Sequence, residues 1–566
     1  MKRLLILVVV VVAGLGAYYF ARERRQVAEV PVAAAPAAPA SMIGATLLDG
    51  LGDYHFPVTS KQPEVQRWFD QGLMLTYGFN HDAAERSFLR AAELDPSCAM
   101  CWWGAALVLG PHVNSAMDAA NNDKAWSRLQ KAQALAAGTT AREQEFIRAL
   151  AARYAEKPDA DRSALDAAYA DASGVLARAL PGDPDAATFF AEAMMDTQPW
   201  DYYDAELKPK GHTEQIVFVL EGVIARNPTH PGALHLYVHA VEASADPSRG
   251  VVAADRLRDL IPGSGHLVHM PAHIYSRVGR WHDAVLANQI AAKADDAYLE
   301  ICRGNAQGLY PLGYVPHNHH FLWFAASMEG SSALASTAAA QTAAKTDLPE
   351  LMRAPGFAGL QHYWMTPWFD RVRFGHWEDI LKLPNPAPDL PYVTAIWHYA
   401  QGMAQLHERH LDEAQRHLDA LAVLAADPAM EKLTVWDRYP LSHATQIAER
   451  TLRGELAAVN GDTRAALSAL REAVAIEDRI PYDEPPGWHA PTRQTLGALL
   501  LAAGDAPAAE QAYREELQRN PHNGWSLYGL AQSLRAQRRG DEAKAAQQEF
   551  DAAWTQADVK LTSSRF

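Results

Sequence analysis

Two pairs of histidines recur along the chain at a regular interval. His235 and His239 are four residues apart, and His269 and His273 repeat that spacing 34 residues later. Because four residues is about one helical turn, each pair is expected on one face of a helix. An interval of 34 residues is typical of a helical repeat, which would place the two helices side by side. Four imidazoles would then converge, and such a cluster can hold a metal ion or grip an anionic ligand.

A carboxylate lies close to this cluster in the sequence. Glu242 follows His239 by about one helical turn. The predicted metal site therefore combines four imidazoles with one carboxylate, a set that suits Zn, Cu or Fe better than Ca or Mg. The zinc-protease motif is absent, because Leu236 and not a glutamate follows His235. Two alternatives stay open: the imidazoles could bind an organic ligand or peptide, or they could pack as ordinary core residues. No reaction class can be assigned.

The rest of the chain carries small, aromatic and proline residues at fixed intervals. Two segments show the pattern in full, with offsets of 12, 16 and 24 from the glycine: Gly72, Ala84, Phe88 and Pro96, and Gly497, Ala509, Tyr513 and Pro521. Small residues at the first two positions let two helices approach closely. The pattern resembles the tetratricopeptide-repeat family over most of residues 60–557. This resemblance implies an all-α fold, a solenoid in which antiparallel helix pairs form a superhelix.

The resemblance also implies which side chains face the concave groove of the solenoid. Members of the family direct fixed positions of the first helix of each repeat into this groove, which binds proteins, peptides or small ligands. On that alignment the groove receives the predicted metal ligands and five further side chains: His266, Arg277, His317, His320 and, on a looser alignment, Glu192. Arg277 could clamp a carboxylate or phosphate. The alternative function is a scaffold that displays the groove to a partner protein and performs no chemistry.

Two cysteines form a C-x-x-C motif directly after a proline. We predict a disulfide between Cys98 and Cys101, which an oxidising compartment would favour. A redox-active dithiol, a thiolate metal site and free buried thiols are the alternatives. Haem attachment is disfavoured because Trp102 follows Cys101, and Cys302 has no assigned role. The segments CAMCWWG and HMPAHIY together resemble a group of exported bacterial repeat proteins, which implies the solenoid and no particular reaction.

The first 24 residues predict export from the cytoplasm. Lys2 and Arg3 precede a largely apolar run over residues 4–20, and arginines follow it. This run is at the lower limit for a membrane span and is long for the core of a signal peptide. We expect an anchor in the bacterial inner membrane, or else a signal that is cleaved and releases the chain into the periplasm. Residues 25–44, rich in Ala and Pro, are typical of a linker.

The length and the net charge of the chain limit which domain organisations and which kinds of partner are plausible. The 566 residues are too many for one compact core but not for a solenoid. We predict an N-terminal half over residues 45–335 that carries the His-rich groove, and a C-terminal repeat half over residues 336–560. In the second half, His417 is expected to face solvent. A formal net charge of −16 argues against a nucleic-acid partner, because phosphate binding needs clustered Lys and Arg.

Overall fold

The computed structural model describes residues 44–157, 160–302 and 304–566. The predicted anchor, residues 4–20, and the predicted linker up to residue 43 lie outside these ranges. The described chain is predominantly helical and forms two compact units. None of the described helices is both long and apolar enough to cross a membrane.

The helices follow one another along the described chain, through connections that range from a single residue to more than a dozen. In order they are α1 (Pro63–Tyr77), α2 (His81–Leu94), α3 (Ala99–Leu107), α4 (Asn122–Leu135), α5 (Ala141–Leu150), α6 (Arg162–Ala179), α7 (Pro184–Asp196), α8 (Thr213–Arg226), α9 (Pro231–Glu242), α10 (Val251–Leu257), α11 (Gly265–His269), α12 (Pro271–Arg277), α13 (Trp281–Cys302), α14 (Val315–Glu329), α15 (Ser332–Thr346), α16 (Gly359–Trp364), α17 (Thr366–Phe374), α18 (Trp377–Leu381), α19 (Pro391–His407), α20 (Leu411–Ala425), α21 (Ser442–Val459), α22 (Thr463–Glu477), α23 (Thr492–Ala502), α24 (Ala506–Arg519), α25 (Gly524–Ala536) and α26 (Gly540–Ala553). Two short strands, β1 (Thr434–Val435) and β2 (Tyr439–Pro440), pair antiparallel.

The first unit contains the described residues of 44–237, 260–267 and 293–311. Its first helices pack through small and aromatic residues. The buried ring of Phe88 in α2 lies against Gly72 of α1, where a Cβ would come within 2.7 Å of the ring. Glycine is therefore required at this crossing, as the repeat pattern predicts.

The second unit contains Val238–Asp259, Val268–Ala292 and Leu312–Phe566. Near its C-terminal end, Tyr513 of α24 lies against Gly497 of α23, where a Cβ would come within 2.5 Å of the ring. The same glycine and aromatic positions thus pack helix pairs in both units. These pairs confirm the predicted all-α tetratricopeptide fold. The predicted boundary after residue 335 falls inside α15 of this unit.

Candidate metal centre

Three histidines of the second unit come from three helices, two of which are short and are separated by a proline. His269 ends α11, His273 lies in α12, and His317 lies in α14. Pro271 begins α12, a position where the missing backbone N–H costs little. Met270 before it keeps right-handed helical angles, with φ −48° and ψ −38°. The turn therefore continues across the break, and His269 and His273 stay on one face.

The Nε2 atoms of these three rings converge. Nε2 of His269 lies 2.7 Å from Nε2 of His273 and 3.0 Å from Nε2 of His317. One ligand atom from each of the three residues lies within 4.8 Å of the other two. Ring nitrogens that share a tetrahedral ion, with bonds of about 2.0–2.1 Å, are about 3.3 Å apart. The spacing is therefore close to that of a metal site with three imidazole ligands.

Two of the rings are oriented by neutral groups on their other nitrogen. Nδ1 of His269 lies 2.6 Å from Oδ1 of Asn288, whose Nδ2 donates to the carbonyl oxygen of Ala284 at 2.8 Å. Because that amide nitrogen faces a carbonyl, Oδ1 must accept, and His269 carries its proton on Nδ1. Its Nε2 then presents a lone pair. Nδ1 of His317 lies 3.3 Å from the hydroxyl oxygen of Tyr363.

Glu242 of α9 orients the third ring. Its Oε2 lies 2.6 Å from Nδ1 of His273 and accepts a hydrogen bond from the hydroxyl of Tyr482 at 2.9 Å, while Oε1 lies 2.7 Å from Nδ1 of His239. Burial raises the pKa of Glu242, but His273 and His239 outweigh burial and hold this pKa below its ordinary value. An ionised carboxylate only accepts hydrogen bonds. Both rings therefore donate from Nδ1, an arrangement that orients metal-binding imidazoles in other proteins.

Burial keeps the rings of His269 and His317 largely uncharged. Burial, and then the neighbouring His273, hold the pKa of His269 well below its ordinary value, and burial and then His269 do the same for the pKa of His317. A neutral His269 that carries its proton on Nδ1 points the lone pair of its Nε2 at His273 and His317. The single lone pair of His269 can accept a hydrogen bond from Nε2 of one neighbour but not from both. A metal ion satisfies all three nitrogens at once.

An apolar wall and an acidic side chain border the three rings. The ring of Phe321 stacks on His273, with the planes 8° apart and the centroids 5.4 Å apart, and meets His269 edge-on at 5.2 Å. Oε1 of Glu484 lies 3.9 Å from Nδ1 of His273. Burial, and then the charge of Glu242, raise the pKa of Glu484 well above its ordinary value. The site is thus apolar on one side and rich in carboxyl groups on the other.

A cleft of about 150 Å³ adjoins this wall, with Phe321, Tyr482, Glu484 and Arg277 in its lining. Arg277 donates from Nε to the backbone carbonyl of Glu242 at 3.0 Å, and its guanidinium lies 5.6 Å from the ring centroid of Tyr482. A small ligand in the cleft would therefore lie beside the residues that orient His273.

The residues predicted from the sequence are distributed over both units. The second unit contains seven of them: His239, Glu242, His269, His273, Arg277, His317 and His320. The first unit contains the other three: Glu192, His235 and His266. The four imidazoles of the predicted metal site are therefore not contained in one unit, and the cluster within the second unit includes His317.

His235 and His266 form a contact of their own in the first unit. Nδ1 of His235 donates to the backbone carbonyl of Tyr77 at 2.6 Å, and its Nε2 lies 3.2 Å from Nε2 of His266. The ring of Phe79 packs against both, with centroids 4.5 and 5.5 Å away. Because Nδ1 of His235 donates to a carbonyl, its Nε2 accepts the hydrogen bond that Nε2 of His266 donates.

Glu192 and His320 are not members of the three-nitrogen cluster. Glu192 is buried in α7, and burial raises its pKa to about 7 against the lowering effect of Arg153. His320 of α14 lies between the rings of Trp323 and Tyr363, with centroids 5.3 and 4.5 Å away. Within the described part of the chain, neither ring nitrogen of His320 has a hydrogen-bond partner.

The cysteines lie in the first unit. A disulfide joins Cys98 to Cys101 at the start of α3, and both residues are buried. Cys98 is also the N-cap of α3, because its Sγ accepts a hydrogen bond from the backbone N–H of Cys101 at 3.1 Å. Cys302, at the end of α13, is a half-buried free thiol whose pKa burial raises.

The expectation that His417 faces solvent is wrong. It is half-buried in α20, with Nδ1 2.9 Å from Nδ1 of His398 and its ring centroid 5.3 Å from that of Trp397. The reason is that these two residues of α19 cover the face of α20 on which His417 lies.

Sequence reasoning missed four residues around the cluster. They are Asn288, Tyr363, Tyr482 and Glu484. The last two belong to the segment IPYDEPPGW between α22 and α23, which places aromatic, acidic and proline residues where a repeat needs only a short turn. That interruption is the signal that could have identified them. Asn288 and Tyr363 occupy ordinary helical positions with no such signal.

No protein-family model matches the chain, and no curated protein matches it. Among solved structures it is similar to a monomeric mutant of IFIT1 with Gppp-AAAA, at 12% identity over 86% of this chain and 99% of that chain, with a TM-score of 0.30. It is also similar to yeast Tom70, at 12% identity over 86% and 89%, with a TM-score of 0.25. The Cut9–Hcn1 hetero-tetramer of APC/C matches at 13% identity over 88% and 94%, with a TM-score of 0.27. We base the fold on the helix pairs described above and not on these likenesses.

Proposed function

We propose that this tetratricopeptide-repeat protein binds one transition-metal ion through Nε2 of His269, His273 and His317. The observation that carries the proposal is that three ring nitrogens converge while the other nitrogen of each ring contacts a polar partner. Ordinary packing does not need three imidazole nitrogens to face one another. A partner on Nδ1 fixes the tautomer and the orientation of a metal-binding imidazole, which supports the proposal.

Three imidazole ligands suit Zn, Cu or Fe. An ion bound in this way keeps a coordination position for water or a ligand, at which it acts as a Lewis acid. The cleft beside Phe321, Tyr482 and Glu484 would receive that ligand. We assign no reaction to the site.

Glu242 supports the site and is not itself a ligand in this proposal. Both of its oxygens already contact ring nitrogens, Oε1 that of His239 and Oε2 that of His273. The carboxylate thereby holds two imidazoles in one orientation and supplies negative charge close to a bound cation. The sequence predicts that Glu242 is a metal ligand. We propose instead that it orients the imidazoles of His239 and His273 and does not itself bind the ion.

The compartment is proposed on the sequence. Residues 4–20 would direct the chain to the periplasm, either anchored in the inner membrane or released after cleavage. The Cys98–Cys101 disulfide is compatible with that oxidising space. We also propose that the concave groove binds a protein, a peptide or a small molecule.

Metal content decides between this proposal and a scaffold without chemistry. The purified full chain is loaded separately with Zn²⁺, Cu²⁺ and Fe²⁺, desalted, and measured by inductively coupled plasma mass spectrometry. We expect about one ion per chain for at least one metal, and loss of that ion in His269→Ala, His273→Ala and His317→Ala.

Two matched variants control for the loss of a histidine. His320→Ala removes a buried imidazole of the same unit, and His212→Ala removes an exposed one. Both should keep the ion. The proposal is wrong if the wild type retains no metal. It is also wrong if the three ligand variants retain as much metal as the two controls.

A further inference from the structure

Arg373 of α17 is a buried cation in the second unit. It is only 5% exposed, and its guanidinium lies 3.8 Å from the ring centroid of Trp525. Nη1 donates to Oε1 of Gln494 at 2.7 Å. In the part of the chain that the structure describes, Nε and Nη2 are buried and have no hydrogen-bond acceptor. These two atoms form the edge with which a guanidinium binds a carboxylate through two parallel hydrogen bonds.

No described carboxylate neutralises this charge at short range, because none lies within 4.0 Å of the guanidinium. Glu516 is the acidic side chain that acts on it most strongly. Burial, and then Glu477, raise the pKa of Glu516 to about 8, so at neutral pH Glu516 is largely uncharged. A buried, unpaired charge is costly for a fold. An anion that is not part of the chain would offset this cost if it bound to the free N–H groups of Arg373.

A second buried donor lies within electrostatic range of Arg373. Burial, and then the charge of Arg373, hold the pKa of His489 well below its ordinary value. Nε2 of His489 lies 3.4 Å from the hydroxyl oxygen of Tyr399, whereas Nδ1 is buried and has no partner among the described residues. When Tyr399 donates to Nε2, the proton of His489 resides on Nδ1. Nδ1 then offers another N–H to an anion.

We propose that Arg373 and His489 bind a carboxylate group, through Nε and Nη2 of Arg373 and Nδ1 of His489. The two free N–H groups on one edge of a planar guanidinium match the two oxygens of a carboxylate better than a spherical ion. Because the donor edge is buried, the ligand is a small carboxylate or the carboxylate end of a longer molecule. This site is independent of the metal centre, and none of its donors belongs to the proposed metal ligands.

Calorimetric titration of the full chain tests the site. Sodium formate is titrated into EDTA-treated protein at pH 7, with sodium chloride holding the ionic strength constant. We expect saturable binding of one formate per chain, loss of that binding in Arg373→Gln, and at least a several-fold weaker affinity in His489→Ala. The matched control Arg371→Gln changes the neighbouring half-buried arginine and should bind as the wild type does.

Three results would overturn the proposal. They are no saturable formate binding by the wild type, equal binding by folded Arg373→Gln, and tighter binding of phosphate than of formate. If Arg373→Gln does not fold, a crystal structure of the wild type in sodium formate decides. Formate on the Nε/Nη2 edge supports the site, and water or chloride alone there refutes it.

Discussion

Nδ1 of His273 lies 2.6 Å from Oε2 of Glu242, and both side chains are buried. This contact fixes which nitrogen of His273 is available to an ion, because the carboxylate accepts a hydrogen bond from Nδ1 and Nε2 is left facing His269. The contact therefore links the orientation of one ring to the chemistry of the whole cluster.

Glu242→Gln should weaken metal binding by about 10- to 100-fold, since loss of a partner on the far nitrogen of a ligand typically has this effect. The glutamine has one acceptor oxygen, so its amide N–H groups would face the Nδ1–H of either His239 or His273. Competition against a chromogenic chelator measures the affinity. Glu214→Gln, on an exposed position of α8, is the control. An unchanged affinity in Glu242→Gln would show that the carboxylate does not orient the site.

His362→Gln should reduce the loss of stability in acid. Burial lowers the pKa of His362 to about 4, while an exposed imidazole in the unfolded chain titrates near about 6.5. The unfolded state therefore binds the extra proton first, and stability falls as the pH drops from 6.5 towards 4. Between pH 7 and pH 5 the effect is roughly 2 kcal/mol. Glutamine cannot titrate but can keep the hydrogen bond to the hydroxyl of Tyr392.

Urea denaturation at pH 7 and pH 5 measures this difference. The midpoint should fall less between the two pH values in His362→Gln than in the wild type. His212→Ala, which removes an exposed imidazole, should show the wild-type pH dependence. Parallel curves for wild type and His362→Gln would contradict a depressed pKa at this position.

The number of titratable thiols should differ between the protein before reduction and the protein after reduction. The chain has three cysteines, of which Cys98 and Cys101 are paired. Thiol titration of the unfolded protein without reductant should therefore find one free thiol, that of Cys302, and three after reduction. Three thiols in protein isolated without reductant would contradict the disulfide.

Gly497→Ala should destabilise the second unit although alanine favours a helix by up to about 1 kcal/mol. The new Cβ would meet the ring of Tyr513 at 2.5 Å, and overpacking of this kind costs about 1–3 kcal/mol. Thermal unfolding measures the change. Gly540→Ala is the control, because no other atom lies within 4 Å of a Cβ there. Equal stability of the two variants would show that the close helix crossing is not required.

Periodic features of the sequence predicted the helical framework well. Small residues such as Gly72 and Gly497 recur at fixed offsets because each helix pair repeats the same crossing. The spacing of His269 and His273 predicted their common face for the same reason. Such local rules depend on neighbours within one or two turns, which the sequence displays directly.

The composition of the cluster depends on contacts between distant segments, which no spacing displays. His317 contacts His269, from which it is separated by 48 residues in the sequence. Tyr482 contacts Glu242, from which it is separated by 240 residues. His235 shares the spacing of His239 but belongs to the first unit, where it donates to the carbonyl of Tyr77. The shared spacing of the histidine pairs in the sequence therefore did not determine which imidazoles converge.

A crystal structure grown with Zn²⁺, with anomalous differences recorded on both sides of the zinc absorption edge, tests the central claim most directly. The account predicts one zinc peak at about 2.0–2.1 Å from Nε2 of His269, His273 and His317. Full occupancy should be lost in His269→Ala and kept in His320→Ala. A structure in which the three nitrogens contact only one another, with zinc absent or bound elsewhere, would contradict it.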